Sequence, residues 1–128
     1  MAIRFKLMAR KNPQKPEDPP KYYAQVVPSA KINLKTLSQR VSSHTTMSAP
    51  DVYGVLMALE EEIIASLKEG AQVELGNLCI FYPDLKSEGA ESEDAFNAGS
   101  HIKRKSIRVR PKQALSRQME NVPVEKIS

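Results

Sequence analysis

The sequence predicts an α+β fold, and three observations support this. Residues 49–69 repeat apolar side chains every three or four positions, which is the period of an amphipathic helix. Residues 2–9 and 103–110 alternate between two kinds of side chain, which is the period of a strand. The predicted elements follow in the order ββ–αα–β–β–α, with a long loop before the last strand, and this order favours an α+β arrangement.

The N-terminal part of the chain predicts a β-hairpin with a long connection. Apolar side chains alternate with Arg4 and Lys6 in the first strand, and residues 22–27 supply the second strand. Four prolines between residues 13 and 20 fix φ and remove backbone donors, so we expect the connection to be an extended loop.

Two helices are predicted next. Asn33 can cap the first, and the polar run at residues 42–48 ends it. Its apolar face is formed by Leu34, Leu37 and Val41. Ser48 and Asp51 have the spacing of a capping box at the start of the second helix, and Gly70 is a suitable residue to end it.

The second half of the chain predicts two strands around a polar arm. Gln72–Pro83 is rich in strand-forming residues, and Gly76 suggests a bulge or kink within it. Asp84–His101 is polar and acidic, as in a mobile loop or arm, and Lys103–Arg110 forms a strand with a basic face. Pro111 opens a short helix, and the tail beyond that helix carries no pattern strong enough to assign.

Charge is strongly segregated along the chain, although the net charge of its 128 residues is only +4. Residues 1–40 carry a net charge of +7, residues 41–102 carry −9, and residues 103–128 carry +6. Two basic ends around an acidic middle favour a polyanionic partner.

Several function classes have no support in the sequence. The single cysteine excludes a disulfide framework and a four-cysteine zinc site, and no glycine-rich phosphate loop is present. His44 and His101 lie in polar segments without a nucleophile and acid partner, so we do not expect an enzyme, a metal, a cofactor or a small-molecule substrate. No apolar run approaches the roughly 20 residues of a membrane helix, and the charged N-terminus is unlike a signal peptide, so we expect a cytoplasmic protein.

The C-terminal strand carries the clearest candidate binding surface. Alternation places Arg104, Arg108 and Arg110 on one face, with Ile107 and Val109 facing the core. Guanidinium groups about 7–14 Å apart along a strand can contact successive phosphates. The complete set of candidate phosphate-binding residues is Lys103, Arg104, Lys105, Arg108, Arg110, Lys112, Arg117, Arg4 and Lys6. The alternative interpretation is a solvated edge strand whose charge prevents aggregation.

From Leu34 to Met119, the chain resembles the bacterial histone-like HU/IHF family of DNA-binding proteins. The two helices separated by a polar break, the segment VELGNLCIF and the segment VRPKQAL carry the resemblance. In the last of these, Lys112 stands where glycine is usual and Gln113 where lysine is usual. The N-terminal hairpin is similar to that of a variant HU-like branch with an N-terminal β segment, as are the motifs LGNLCIF, SEG and FNA, although Cys79 replaces a glycine.

This resemblance implies an IHF-like fold: two N-terminal helices, a small antiparallel sheet with an arm, and a short C-terminal helix, in an intertwined dimer. It implies an HU-like domain at residues 33–122, preceded by the hairpin extension at residues 1–32 and followed by a tail at residues 123–128. The apolar helix faces and strands also favour a homodimer, because they exceed what one small layer can cover.

The resemblance implies a nucleoid-associated, DNA-condensing protein that binds double-stranded DNA largely without sequence preference. The arm departs from the family pattern, in which basic arms carry a proline that wedges between base steps. Asp84–His101 has a net charge of −4 and no proline, so we do not expect arm intercalation, and we expect Phe96 to fold back as an apolar plug. The alternative function is a protein-interaction module on an HU-like dimer, with weak DNA affinity.

Overall fold

The structure, a computed structural model, describes residues 1–127 and divides them between two compact units. The first unit comprises residues 1–33 and the C-terminal residues from 118 onward, and the second comprises residues 34–117. The elements in chain order are β1 (Ile3–Arg10), β2 (Lys21–Val26), α1 (Leu34–Ser43), α2 (Ala49–Lys68), β3 (Val73–Leu75), β4 (Cys79–Ser87), α3 (Ala98–His101), β5 (Ile102–Pro111), α4 (Gln113–Glu120) and β6 (Val124–Lys126). The described residues form four helices and two small three-stranded sheets, which confirms the α+β class.

The first unit contains a three-stranded sheet in the order β2-β1-β6. The β1 and β2 strands pair antiparallel, from Phe5 opposite Val26 to Arg10 opposite Lys21, as the predicted hairpin requires. The third strand comes from the unassigned tail, because β6 pairs parallel with β1. A parallel partner cannot be joined by a tight turn, and here it comes from the opposite end of the sequence.

The start of α2 shows why the sequence begins a helix there. Ser48 has an extended backbone, and its side-chain oxygen accepts a hydrogen bond of 3.3 Å from the Asp51 N–H. Pro50 lies in the first turn, where its missing N–H leaves no bond unmade. The helix ends at a Glu69 cap, and Gly70 follows with a φ of +86°, a conformation that glycine adopts without steric cost.

Removing this cap should destabilise the fold measurably. We expect Ser48→Ala to lower the free energy of unfolding by about 1 kcal/mol, because the Asp51 N–H loses its side-chain acceptor. The matched control is Ser48→Asp, which keeps an acceptor and should remain close to the parent. Urea denaturation at a fixed protein concentration measures both variants, and equal stability of Ser48→Ala and the parent would contradict the assigned cap.

The second unit contains a sheet in the strand order β3-β4-β5. The prediction of a single strand at residues 72–83 is wrong, because a turn divides this segment. That segment forms two strands, β3 and β4, rather than one strand with a bulge. Gly76 has a φ of +53° in the connecting turn, and the Leu78 N–H donates to the Leu75 carbonyl at 3.0 Å. The glycine therefore marks a hairpin turn, and the irregularity in pairing falls between Lys86 and Ser87 instead.

The β4 strand also continues through Pro83, the residue at which the predicted strand ends. The β3 strand pairs only with residues 79–81 of β4, so β4 has a single neighbour at Pro83, namely β5. A proline lacks an N–H and is tolerated where one side of a strand is unpaired. The first four residues of the predicted arm, 84–87, are consequently strand, and its last four, Ala98–His101, form the single turn of α3.

Burial within the single chain is sparse. Among the described residues, Val52 is the one buried apolar side chain. Ser38 is buried on α1, where its hydroxyl donates to the Leu34 carbonyl at 2.8 Å. Ile107 and Val109, expected to face a core, are 49% and 57% exposed. One copy of the second unit therefore leaves its apolar surface uncovered.

Candidate nucleic-acid interface

The pairing of β4 with β5 places three predicted arginines on one face of the sheet. Arg104, Arg108 and Arg110 are separated by even numbers of residues along β5 and so share one face, and we refer to them as the arginine row. All three are exposed. Their spacing along the strand is about 7–14 Å, as the sequence alternation predicts. The row is therefore an open cationic surface fixed on a paired strand.

The register adds two β4 residues to this face that are absent from the predicted binding surface. Lys86 lies opposite Arg104 and Tyr82 lies opposite Arg108, so both share the face of the arginine row. Asp84 lies between them, opposite Ser106, and adds a negative charge. Tyr82 lies within the predicted strand at residues 72–83, but a strand that ends at Pro83 excludes Asp84 and Lys86 from the sheet.

The end of the arginine row borders a recess of about 470 Å³. Arg108 and Arg110 line it together with Tyr82 and Asp84. Neither of the two ion pairs found in residues 1–127 involves an arginine of the row. The guanidinium groups are consequently available to an anionic partner.

The two predicted lysines next to the row, Lys103 and Lys105, do not extend it along β5. Lys105 alternates with the arginines and therefore lies on the opposite face of the sheet. Lys103 lies at the irregularity in the β4–β5 pairing and has no register partner, and its Nζ lies 3.8 Å from the Glu88 Oε2. Lys105 borders a recess of about 500 Å³ that Ile64 and Ile107 also line. The basic run in the sequence is therefore divided between two faces in the fold.

Lys112 and Arg117 are placed beyond the strand. The Lys112 ammonium pairs with the Glu74 carboxylate of β3, and the Lys112 backbone N–H donates to the Leu78 carbonyl at 2.9 Å. Arg117 lies in the last turn of α4. Neither belongs to the arginine row, and the charge of Lys112 is already partly neutralised.

Arg4 and Lys6 belong to the first unit, where they share one face of the β2-β1-β6 sheet. Both are exposed. Because successive side chains of a strand point to opposite faces, Ile3 and Phe5 lie on the other face of the sheet, where they are half-buried.

The arm between β4 and β5 folds on itself. The Glu88 N–H donates to the His101 carbonyl at 2.8 Å, which closes the base of the arm. The Phe96 ring stacks on the His101 ring, with centroids 5.1 Å apart, and the Asn97 N–H lies 2.9 Å from the His101 Nδ1. These contacts form a short acidic loop in place of a long extended hairpin.

Within residues 1–127, no group of three or more His, Cys, Asp or Glu side chains is placed to hold a metal ion. Cys79 is half-buried on β4 with a free thiol. The helices of the described part include none that could span a bilayer.

Comparison with known proteins agrees with this architecture. A family described as HU-HIG, an HU domain fused to wHTH, Ig, or Glycine-rich motif, matches residues 1–126. No curated protein matches the sequence. The fold is similar to that of a Bacteroides vulgatus protein provisionally described as a bacterial DNA-binding protein, with a TM-score of 0.69 and 12% identity.

That similarity covers 98% of this chain and 48% of the other, so the chain spans about half the length of its structural relative. The family match, in contrast, extends over both compact units and every described strand and helix. The chain belongs to the HU-HIG family of HU domains.

Proposed function

We propose that this chain is an architectural, nucleoid-associated protein of the bacterial cytoplasm that binds duplex DNA through its phosphates, largely without sequence preference. The arginine row is the observation that carries the proposal. Family membership supports it, and so does the provisional DNA-binding description of the structural relative. The alternative of a merely solvated edge strand predicts no such binding.

The chemistry of the row suits phosphate better than a base edge. Arg108 and Arg110 project from one face of β5, and each can donate two parallel hydrogen bonds to phosphate oxygens. Contacts of this kind fix the position of DNA without reading its sequence. Lys103, Lys105, Lys112, Arg117, Arg4 and Lys6 remain in the proposal as peripheral phosphate contacts.

A homodimer is part of the proposal. The apolar face of the second sheet carries Phe81 opposite Val109 and Pro83 opposite Ile107. The α2 side chains Val55 and Ile64 are also more than half exposed in the single chain. A second copy that covers these surfaces would complete the IHF-like intertwined fold and double the number of phosphate contacts. The proposed HU-like domain spans residues 33–122, and residues 1–32 are the extension of the variant branch.

In this proposal, the arm does not insert between the base steps of DNA. It carries a net charge of −4 without a proline, so phosphates repel it and it lacks the usual wedge. Phe96, its aromatic residue, is held against His101.

Replacing two arginines tests the proposed surface. We expect Arg108→Ala with Arg110→Ala to weaken binding of all duplex sequences alike, by about tenfold per arginine, because each loses charge-assisted hydrogen bonds to phosphate. The matched control is Lys112→Ala, whose lysine is paired with Glu74 and should matter less. Mobility-shift titration at low salt with several unrelated duplexes measures both, and a loss confined to one duplex would contradict a phosphate role.

A second candidate function is protein interaction, and the acidic arm favours it. The side chains of Glu91, Glu93 and Asp94 are all exposed and make no ion pair among the described residues. An HU-like dimer that acts as a scaffold would leave the mobility of duplex DNA unchanged at low salt, which separates this candidate from the first.

A further inference from the structure

One face of the N-terminal sheet gathers cations and a tyrosine from two strands. The register places Tyr23 opposite Met8 and Lys21 opposite Arg10. Alternation places Arg4 and Lys6 on the same side of β1 as Arg10. We call this surface the basic sheet face, and it consists of Arg4, Lys6, Met8, Arg10, Lys21, Tyr23 and Gln25.

The basic sheet face is poorly compensated by acids. None of its cations takes part in the two ion pairs of the described chain. Glu125 of β6 lies opposite Arg4 and is the acid that the register brings to this face. Cations at alternate positions are about 7 Å apart along a strand, a spacing that a sugar-phosphate backbone can follow.

The face continues into a cationic recess of about 570 Å³ beside the β1–β2 connection. Its charged lining consists of Arg10, Lys11, Lys15, Lys21 and a single acid, Asp18. The connection is locally ordered, since the Lys15 N–H donates to the Asn12 carbonyl and the Asp18 N–H donates to the Lys15 carbonyl, both at 3.1 Å. The recess therefore presents its lysines from a folded loop.

Tyr23 distinguishes this surface from the arginine row, whose own tyrosine, Tyr82, is half-buried. The Tyr23 side chain is 48% exposed, and the Arg10 guanidinium carbon lies 5.7 Å from the ring centroid. Unpaired bases stack on aromatic rings and on guanidinium planes, while neighbouring cations bind the phosphates of the same strand. The bases of a duplex are already stacked on one another and cannot reach such a ring.

We propose that the basic sheet face binds single-stranded nucleic acid, with phosphates along Arg4, Lys6, Arg10 and Lys21 and a base stacked at Tyr23. The inference rests on the proposed nucleic-acid role of the chain and assigns a distinct ligand to its N-terminal unit. The chain would then carry two nucleic-acid surfaces, the arginine row for duplex and the basic sheet face for a single strand. A bound single strand would take the place of duplex at the phosphate contacts of Arg4 and Lys6.

Adjacent tyrosines provide the test. Tyr23→Leu should weaken binding of a fluorescently labelled oligothymidylate by about 5- to 100-fold, the range for losing one aromatic stacking platform. Tyr22→Leu is the matched control, because Tyr22 lies on the opposite face of the same strand and is 67% exposed. Anisotropy titration of the full chain, with thermal unfolding of each variant, measures both. Equal losses in the two variants, or no loss in Tyr23→Leu, would overturn the proposal.

Two further variants separate this inference from the proposed duplex function. Arg108→Ala with Arg110→Ala should leave oligothymidylate binding intact, whatever it does to duplex binding. Arg10→Ala with Lys21→Ala should flatten the salt dependence of oligothymidylate affinity by about 1.4 logarithmic units per tenfold change in salt, as expected for two lost single-strand contacts. A matched duplex that binds more tightly than oligothymidylate to the Arg108→Ala, Arg110→Ala chain would overturn the assignment of a single strand.

Discussion

Raising the salt concentration from about 50 to about 200 mM should lower the affinity of the chain for duplex DNA by about 10³- to 10⁵-fold, if a dimer makes about 6–10 phosphate contacts. Each arginine or lysine that neutralises a phosphate releases a condensed counterion, and added salt opposes that release. The arginine row supplies three such contacts per copy, and Lys86 lies on the same face to add a fourth.

The slope of this dependence is the informative quantity. Titration at several salt concentrations should give a plot of logarithmic affinity against logarithmic salt with a slope of about −0.9 per phosphate contact. Replacing Arg108 and Arg110 with alanine should make the slope shallower by about 1.8 per copy. Tyr22→Leu, which removes no charge, is the control. Affinity that does not respond to salt would contradict phosphate binding.

Val109→Asp should raise the dissociation constant of the dimer at least about 100-fold. Val109 is 57% exposed in the single chain and lies opposite Phe81 on the apolar face of the second sheet. If a second copy covers this face, the substitution buries a carboxylate without a partner, which costs several kcal/mol. Sedimentation velocity over a concentration series measures the change.

The control for this experiment keeps the position apolar. Val109→Ile retains a β-branched side chain on the same strand and should dimerise like the parent. A parent chain that sediments as a monomer throughout the concentration series would refute the proposed dimer. A Val109→Asp chain that remains as strongly dimeric as the parent would place the interface elsewhere.

The elements with a local cause were predictable from the sequence. The α2 helix has its own cap at Ser48 and its own terminator at Gly70, so its limits depend on neighbours in the chain. The arginine row was predictable for the same reason, since the period of two along β5 decides which side chains share a face. The hairpin of β1 and β2 also follows from local alternation and a long proline-rich connection.

The rest depends on contacts between distant segments. Strand β4 tolerates Pro83 because β3 has already ended beside it, which no local pattern reveals. Lys112 is partly neutralised by Glu74, a residue 38 positions earlier in the sequence. Ile107 and Val109 alternate as core residues do, but both are about half exposed in the single chain, which alternation alone does not predict.

The parallel pairing of β1 with β6 has a consequence for the order of folding. Ile3 lies beside Val124, so the first unit is completed by two segments at opposite ends of the described chain. During synthesis the β1–β2 hairpin can form early, but its third strand leaves the ribosome only after the whole second unit. Contacts of such high sequence separation form slowly. The second unit, whose elements are contiguous in sequence, is therefore expected to fold before the N-terminal sheet is complete.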